Sequence, residues 1–259
     1  MDKHYFYSSI VANKRVCDKL FTMQLKAPEI ARSSSPGQFI NIYFQDTVKI
    51  FPRPFSISEI QDDNIFIRYK VIGSQTKKMS EWKKNDEVRI LGPLGNQFHI
   101  DPEIQSHILV GGGIGVAPLF YLRDALVEKE LDARFFIGAA NRDEHYILKD
   151  QDCILKLATD DGSIGWHGTV IDLLQEEWPK IDQPAVIYSC GPEPMLEALK
   201  KFGQKNNTGV QVSMEKIMAC GNGLCQGCAV RTENHVDQDY VLVCKDGPIF
   251  KAKDIIIDD

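Results

Sequence analysis

Ile108-Leu109-Val110-Gly111-Gly112-Gly113-Ile114-Gly115-Val116-Ala117-Pro118 is where the sequence changes its rhythm. The apolar triplet reads as a strand buried on both faces, and the glycines as a tight loop. Pro118 opens a helix whose apolar residues Leu119, Leu122 and Leu126 share one face. A strand, a glycine loop and a helix N-terminus together form a phosphate-binding turn. The glycines depart from G-x-G-x-x-G, however, so close packing of the helix on the strand is the competing reason for Gly111, Gly112, Gly113 and Gly115.

Downstream, strands and helices keep alternating. Strands are expected at Arg134–Ile137, Cys153–Leu157 and Val186–Tyr188, with helices near Val170–Leu174 and Met195–Phe202. That order predicts a doubly wound parallel sheet. Cys190-Gly191-Pro192-Glu193-Pro194-Met195 follows a strand, and ligands of such sheets lie outside the strands' carboxyl ends. By its own chemistry Cys190 reads as a small buried residue, since no histidine stands nearby in sequence to activate it. Asp160-Asp161-Gly162 also ends a strand, as a ribose partner or as an exposed acidic turn.

Upstream, from Tyr5 to about Ile100, short runs alternate apolar and polar residues between turn signals, as in Phe39–Tyr43 after Pro36-Gly37 and Ile65–Tyr69 after Asp62-Asp63-Asn64. Period-two alternation at this spacing predicts an antiparallel barrel or sandwich. A short helix is expected around Lys77–Lys83, and the strand Glu87–Leu91 runs into a turn at Gly92-Pro93-Leu94-Gly95. Arg53-Pro54-Phe55-Ser56 begins a strand with a cation suited to a pyrophosphate and a hydroxyl able to face a ring nitrogen, which fits a flavin dinucleotide, or equally a surface arginine beside a proline-bounded edge strand. Gly73-Ser74-Gln75-Thr76 precedes the short helix and could hold phosphate oxygens or simply cap it.

Four of the seven cysteines fall near the C-terminus, as Cys220-Gly221-Asn222-Gly223-Leu224-Cys225-Gln226-Gly227-Cys228, then fifteen residues, then Cys244. C-x4-C-x2-C…C is the spacing of a plant-type [2Fe–2S] cluster. Structural zinc more often uses two C-x2-C pairs, and here Cys225 and Cys228 make one. Disulfides need an oxidising compartment, and the N-terminal residues lack the pattern of a signal peptide. Cys17, Cys153 and Cys190 then read as reduced thiols of a cytoplasmic protein.

Composition narrows the classes. The 259 residues are 43% hydrophobic and 25% charged, with a formal net charge of −6, as in a soluble globular protein. The acidic balance argues against a nucleic-acid partner, and the one basic run, Lys77-Lys78 with Lys83-Lys84, reads as a solvated face. The most apolar stretch, Ile108–Leu122, is too short and glycine-rich to span a membrane. Three modules are expected, at residues 1–100, 101–209 and 210–259, with no internal repeat; the last is too small for a large core and would lean on its metal.

In order, these motifs resemble the ferredoxin–NADP reductase superfamily, and the cysteine loop with Met218-Ala219 before it and Lys245-Asp246-Gly247-Pro248 after it makes the chain similar to the electron-transfer subunits of type B dihydroorotate dehydrogenases. The resemblance implies an antiparallel β-barrel FAD domain, an α/β NAD domain and a small C-terminal [2Fe–2S] module. It puts Arg53 on the flavin pyrophosphate and Ser56 near the flavin N5, with Arg68, Tyr69 and Lys70 along the flavin's other half and Gln75 and Thr76 at its phosphates. It makes Cys220, Cys225, Cys228 and Cys244 the cluster ligands, and Gly111–Gly115 with Cys190-Gly191 the NAD loops. Gln75 stands where glycine is usual, and Asn222 where a larger apolar residue is expected. The implied partner is an FMN-containing catalytic subunit in a heterotetramer of two plus two; the alternative is a subunit of another NAD(P)H-dependent complex. NAD is expected over NADP, because Gly138–Asp143 offers only Arg142, flanked by acid.

Overall fold

Six strands that alternate inward apolar and outward polar residues close on themselves. In chain order they are β1 (His4–Cys17), β2 (Leu20–Lys26), β3 (Phe39–Tyr43), β4 (Arg53–Gln61), β5 (Asn64–Lys70) and β6 (Glu87–Leu94). They form an antiparallel barrel in the order β1-β2-β5-β4-β3-β6. The computed structural model describes residues 4–45, 50–145, 154–233 and 239–257. Ile10, Met23, Leu25, Ile40, Ile42, Ile57, Ile65 and Ile67 fill the barrel without solvent exposure. Each such side chain contributes about 1.5–3 kcal/mol, which makes the alternation decisive.

Two short helices cover the barrel. α1 (Pro28–Ser33) was not expected from the alternation, and buries Ile30 and Ala31. α2 (Ser74–Glu81) begins three residues before the expected Lys77. The expected turn at Gly92-Pro93 is instead the continuation of β6 to Leu94.

The second sheet has seven strands: β7 (Ser106–Gly112), β8 (Ala133–Ala139), β9 (Ile154–Thr159), β10 (Trp166–His167), β11 (Ala185–Cys190), β12 (Gly209–Ser213) and, after the two-stranded β13 (Ala229–Arg231) and β14 (Tyr240–Leu242), β15 (Ile249–Lys251). Their order is β10-β9-β8-β7-β11-β12-β15. Every pairing is parallel except β12 with β15, so the sheet is mixed and not wholly parallel as expected. α3 (Ala117–Glu128), α4 (Val170–Glu177) and α5 (Glu193–Lys205) supply the crossovers. The expected boundary at 209/210 runs through β12, and the last 50 residues give the sheet its final strand. Cys153 lies outside the described residues. No helix among the described residues is long and apolar enough to cross a membrane.

His107 is fully buried in β7, its Nδ1 3.1 Å from the Tyr188 hydroxyl. Burial holds its pKa below the ordinary value, against a smaller upward pull from the Ile104 backbone and from Asp132 and Asp101. The folded protein therefore binds fewer protons than the unfolded chain just below pH 6.5, and stability falls as pH drops through that value. Burial shifts His145 the same way. Between pH 7 and 5, the fall in Tm should be shallower in His107→Gln than in wild type; parallel curves would show that His107 contributes nothing.

Candidate functional site

A cleft of about 320 Å³ opens where the three modules meet. The barrel contributes Phe39, Arg53, Pro54, Phe55, Ser56, Arg68, Tyr69, Lys70, Ile72 and Thr76; the second module adds Ile114, Ala117 and Pro118 from the start of α3. Met214, Glu215, Lys216, Met218 and Pro248 close it from the C-terminal segment. Of the residues expected at a flavin, only Gln75 is absent from the lining. It is buried with Met79 one helical turn on, so the phase of α2 turns it toward the barrel.

Arg53 stands at the cleft with Nη1 3.1 Å from the Pro52 carbonyl oxygen and 3.4 Å from that of Phe51. Carbonyls hold the guanidinium in place without neutralising it, as a carboxylate would. Arg68 stacks 3.8 Å over the Phe120 ring, tying β5 to α3, and Lys70 Nζ pairs with Glu144 at 2.9 Å. Thr76 Oγ1 accepts from the backbone N–H groups of Ile72 (3.0 Å) and Gly73 (3.1 Å), so the hydroxyl caps its own helix while lining the cleft.

β7 sits between β8 and β11, so chain connections leave it in opposite directions and a crevice forms at the carboxyl ends of β7 and β11. Gly111 pairs with Cys190 across that ladder. A Cβ on Gly115 would lie 2.6 Å from the Cys190 carbonyl oxygen and 2.6 Å from Gly191 Cα, so here glycine permits backbone to meet backbone. Gly111, Gly112 and Gly191 are likewise packed against Val116 and Met195; Gly113, at φ +55°, has open space where its side chain would be. Tight packing thus accounts for four of these glycines, and Gly113 alone is free to approach a ligand. Gly115→Ala should cost about 1–3 kcal/mol by overpacking and raise the KM for NADH as the crevice is wedged apart. Thermal unfolding and NADH kinetics check this, and an unchanged Tm would show that the two loops yield freely.

Glu215 was not visible in the sequence as a site residue. Its carboxylate lies in the cleft and accepts from the Cys190 thiol at 3.8 Å. The protein crowding the cleft raises its pKa, and burial raises that of Cys190 well above the ordinary thiol value. Cys190 is a neutral thiol, in line with its reading as a buried residue. Asp161 Oδ1 accepts from the Ser163 backbone at 2.9 Å; the Ser163 hydroxyl and N–H lower its pKa, so it is an ionised turn residue.

The cysteine loop turns its amides onto its sulfurs. Gly223 N–H donates to Cys244 Sγ (3.1 Å), Cys225 N–H to Cys220 Sγ (3.3 Å), Cys244 N–H to Cys228 Sγ (3.4 Å) and Gly227 N–H to Cys225 Sγ (3.5 Å). Cys228 and Cys244 are buried with sulfurs 3.2 Å apart, and Cys225 is exposed. Burial pushes the Cys220 thiol up, but the N–H groups of Asn222, Cys225 and Leu224 outweigh it and bring the pKa down to about 6. Burial and the neighbouring Cys228 push Cys244 up to about 12. Each of the four sulfurs meets an inward N–H donor, as an anionic cluster with sulfur ligands requires, while among the described residues no three metal-ligating side chains are gathered closely enough to hold a single metal ion.

Two family models match the chain: the iron-sulfur cluster binding domain of dihydroorotate dehydrogenase B over residues 215–256, and the oxidoreductase NAD-binding domain over 109–201. The dihydroorotate dehydrogenase B (NAD(+)) electron transfer subunit of Bacillus velezensis is 35% identical, over 96% of this chain and 98% of its own length. Its counterpart in Clostridium acetobutylicum is 34% identical over 100% of both chains. The chain belongs to this family of electron transfer subunits. The solved structure of an NADH-dependent reduced ferredoxin-NADP oxidoreductase has a TM-score of 0.85 at 25% identity, covering 96% of this chain and 89% of that one. A ferredoxin NADP+ reductase from Neisseria gonorrhoeae shares the fold at TM-score 0.66 and 16% identity, over 78% and 91%. In the family's terms, the iron–sulfur domain begins at Glu215, the residue that joins the cleft to Cys190.

Proposed function

We propose that this electron transfer subunit passes electrons from an FMN-containing dihydroorotate dehydrogenase catalytic subunit to NAD, using a [2Fe–2S] cluster on Cys220, Cys225, Cys228 and Cys244 and an FAD in the cleft. The observation that carries the reading is that barrel, NAD-type domain and cysteine module wall a single cleft. Bound FAD supplies the exchange between two-electron nicotinamide and a one-electron iron–sulfur centre.

The chain's residues divide the remaining work. Arg53 offers its un-neutralised guanidinium to the flavin pyrophosphate, Ser56 its hydroxyl to the ring, and Arg68, Tyr69, Lys70 and Thr76 the rest of the barrel wall. Met214, Met218 and Pro248 exclude water from the side nearest the cysteine module. Gly113 and the crevice at Cys190-Gly191 receive the nicotinamide dinucleotide, beside the contact in which the neutral Cys190 thiol donates to Glu215. Cys220, Cys225, Cys228 and Cys244 would hold the cluster, and the loop N–H groups would orient their sulfurs. Dihydroorotate is oxidised on the partner, two copies of each subunit form the complex, and it works in the cytoplasm.

Anaerobic purification should give flavin absorption bands and an EPR-active reduced cluster, and co-expression with the catalytic subunit should give dihydroorotate-dependent reduction of NAD. Absence of flavin and iron would overturn the reading. The likeness to the NADH-dependent reduced ferredoxin-NADP oxidoreductase over nearly the whole chain supports a second one, which would prevail if ferredoxin, and not the catalytic subunit, exchanges electrons with the chain.

A further inference from the structure

β3 has two unlike faces. Ile40 and Ile42 point into the barrel core, while Phe39, Asn41 and Tyr43 alternate onto the outer face. In the β3–β4 ladder Phe39 lies opposite Ser56 and Asn41 opposite Pro54. Phe39, Pro54 and Ser56 all line the cleft, and Phe39 belongs to the same packed core as Cys228 and Cys244. The outer face of this one strand therefore serves the cleft and the cysteine module together.

Asn41 is the anomaly on it. The residue is 0% exposed in an otherwise apolar strand. Its Nδ2 donates to the Cys220 carbonyl oxygen at 3.4 Å, and among the described residues its buried Oδ1 meets no donor. An unsatisfied buried acceptor costs about 1–3 kcal/mol, which an apolar residue of the same size would avoid. The amide also packs on the loop: a Cβ on Gly221 would lie 2.3 Å from Nδ2 and 2.9 Å from Oδ1. Gly221 has φ +66°, so the loop turns sharply at the peptide that Asn41 grips.

We infer that Asn41 is a positioning residue for the iron–sulfur loop, fixing the Cys220–Gly221 peptide against the flavin barrel. This rests on the cysteine loop being the cluster's seat. With the carbonyl tethered, the peptides that follow present their N–H groups to Cys220 Sγ. Without the tether those donors drift from the sulfur. Hydrogen bonds to cluster sulfurs favour the reduced, more negative state, so their loss makes the cluster harder to reduce.

The test uses Asn41→Leu, which keeps the volume and removes the donor, in the anaerobically purified holo-subunit. At a fixed ambient potential the ratio of reduced to oxidised cluster should fall about tenfold, equivalent to 59 mV for a one-electron couple. The EPR g-values should shift, iron should pass to a ferrous chelator about tenfold faster, and flavin content should stay unchanged. A double-mutant cycle adds a readout that a space-filling role would not move. Gly221→Ala should accelerate iron loss less in an Asn41→Ala background than in wild type, because the collision with the amide is gone. A wild-type chain with a normal cluster, together with unaltered potential and g-values in Asn41→Leu or additive effects in the cycle, would overturn the role of Asn41. A wild-type chain that binds no cluster would overturn the functional reading with it.

Discussion

Replacing Cys225 with serine abolishes the EPR signal of the reduced cluster and lowers dihydroorotate-dependent NAD reduction at least about a hundredfold, the scale on which even supporting residues of metal sites act. NADH oxidation by an artificial acceptor such as ferricyanide should stay within about twofold of wild type, because that reaction needs only the flavin and the crevice. Cys225 is an exposed loop residue whose contacts are to loop amides and Cys220, and it does not line the cleft. Parallel loss of both activities would mean that the cysteine module holds the flavin cleft together, so that neither half works alone.

Arg53→Ala gives the second large effect. The guanidinium rests on two carbonyls of its own chain and, among the described residues, makes no salt bridge, so its charge is available to an anion in the cleft. Losing a charge-assisted contact of about 1.5–3 kcal/mol weakens FAD binding about ten- to hundredfold. Flavin fluorescence after gel filtration measures it. Arg53→Lys should recover only part of the loss, since an ammonium lacks the planar fork. Full flavin occupancy in Arg53→Ala would remove this residue from the site.

Much of this architecture was legible in the sequence because burial imposes a period. Ile40 and Ile42, or Ile65 and Ile67, cannot both face the core unless the segment is extended, and Leu119, Leu122 and Leu126 cannot unless it is helical. α1 escaped because six residues with Ile30 and Ala31 adjacent show no full helical repeat. β15 escaped because three residues carry no pattern, and its partner β12 is distant in sequence. The iron–sulfur character of the C-terminal segment was readable from the cysteine spacing. Glu215, Asn41 and Asn96 were not, because each acts across a tertiary contact. Asn96, for example, donates to the carbonyls of Asp246 (2.9 Å) and Ile249 (2.8 Å) and accepts from the Ile249 N–H (2.8 Å), joining the end of the barrel to the last strand.

The antiparallel docking of Ile249–Lys251 on β12 bears on biogenesis. A chain ending after Ser213 would hold every parallel strand of the sheet, yet its β12 edge would stay unpaired until Ile249–Lys251 docks on it. The cysteines lie on the intervening segment, so that edge is sealed only when the cluster loop has been threaded back across the molecule. The cysteine module cannot be transplanted or deleted as a cassette without exposing a sticky strand on the enzyme it leaves behind.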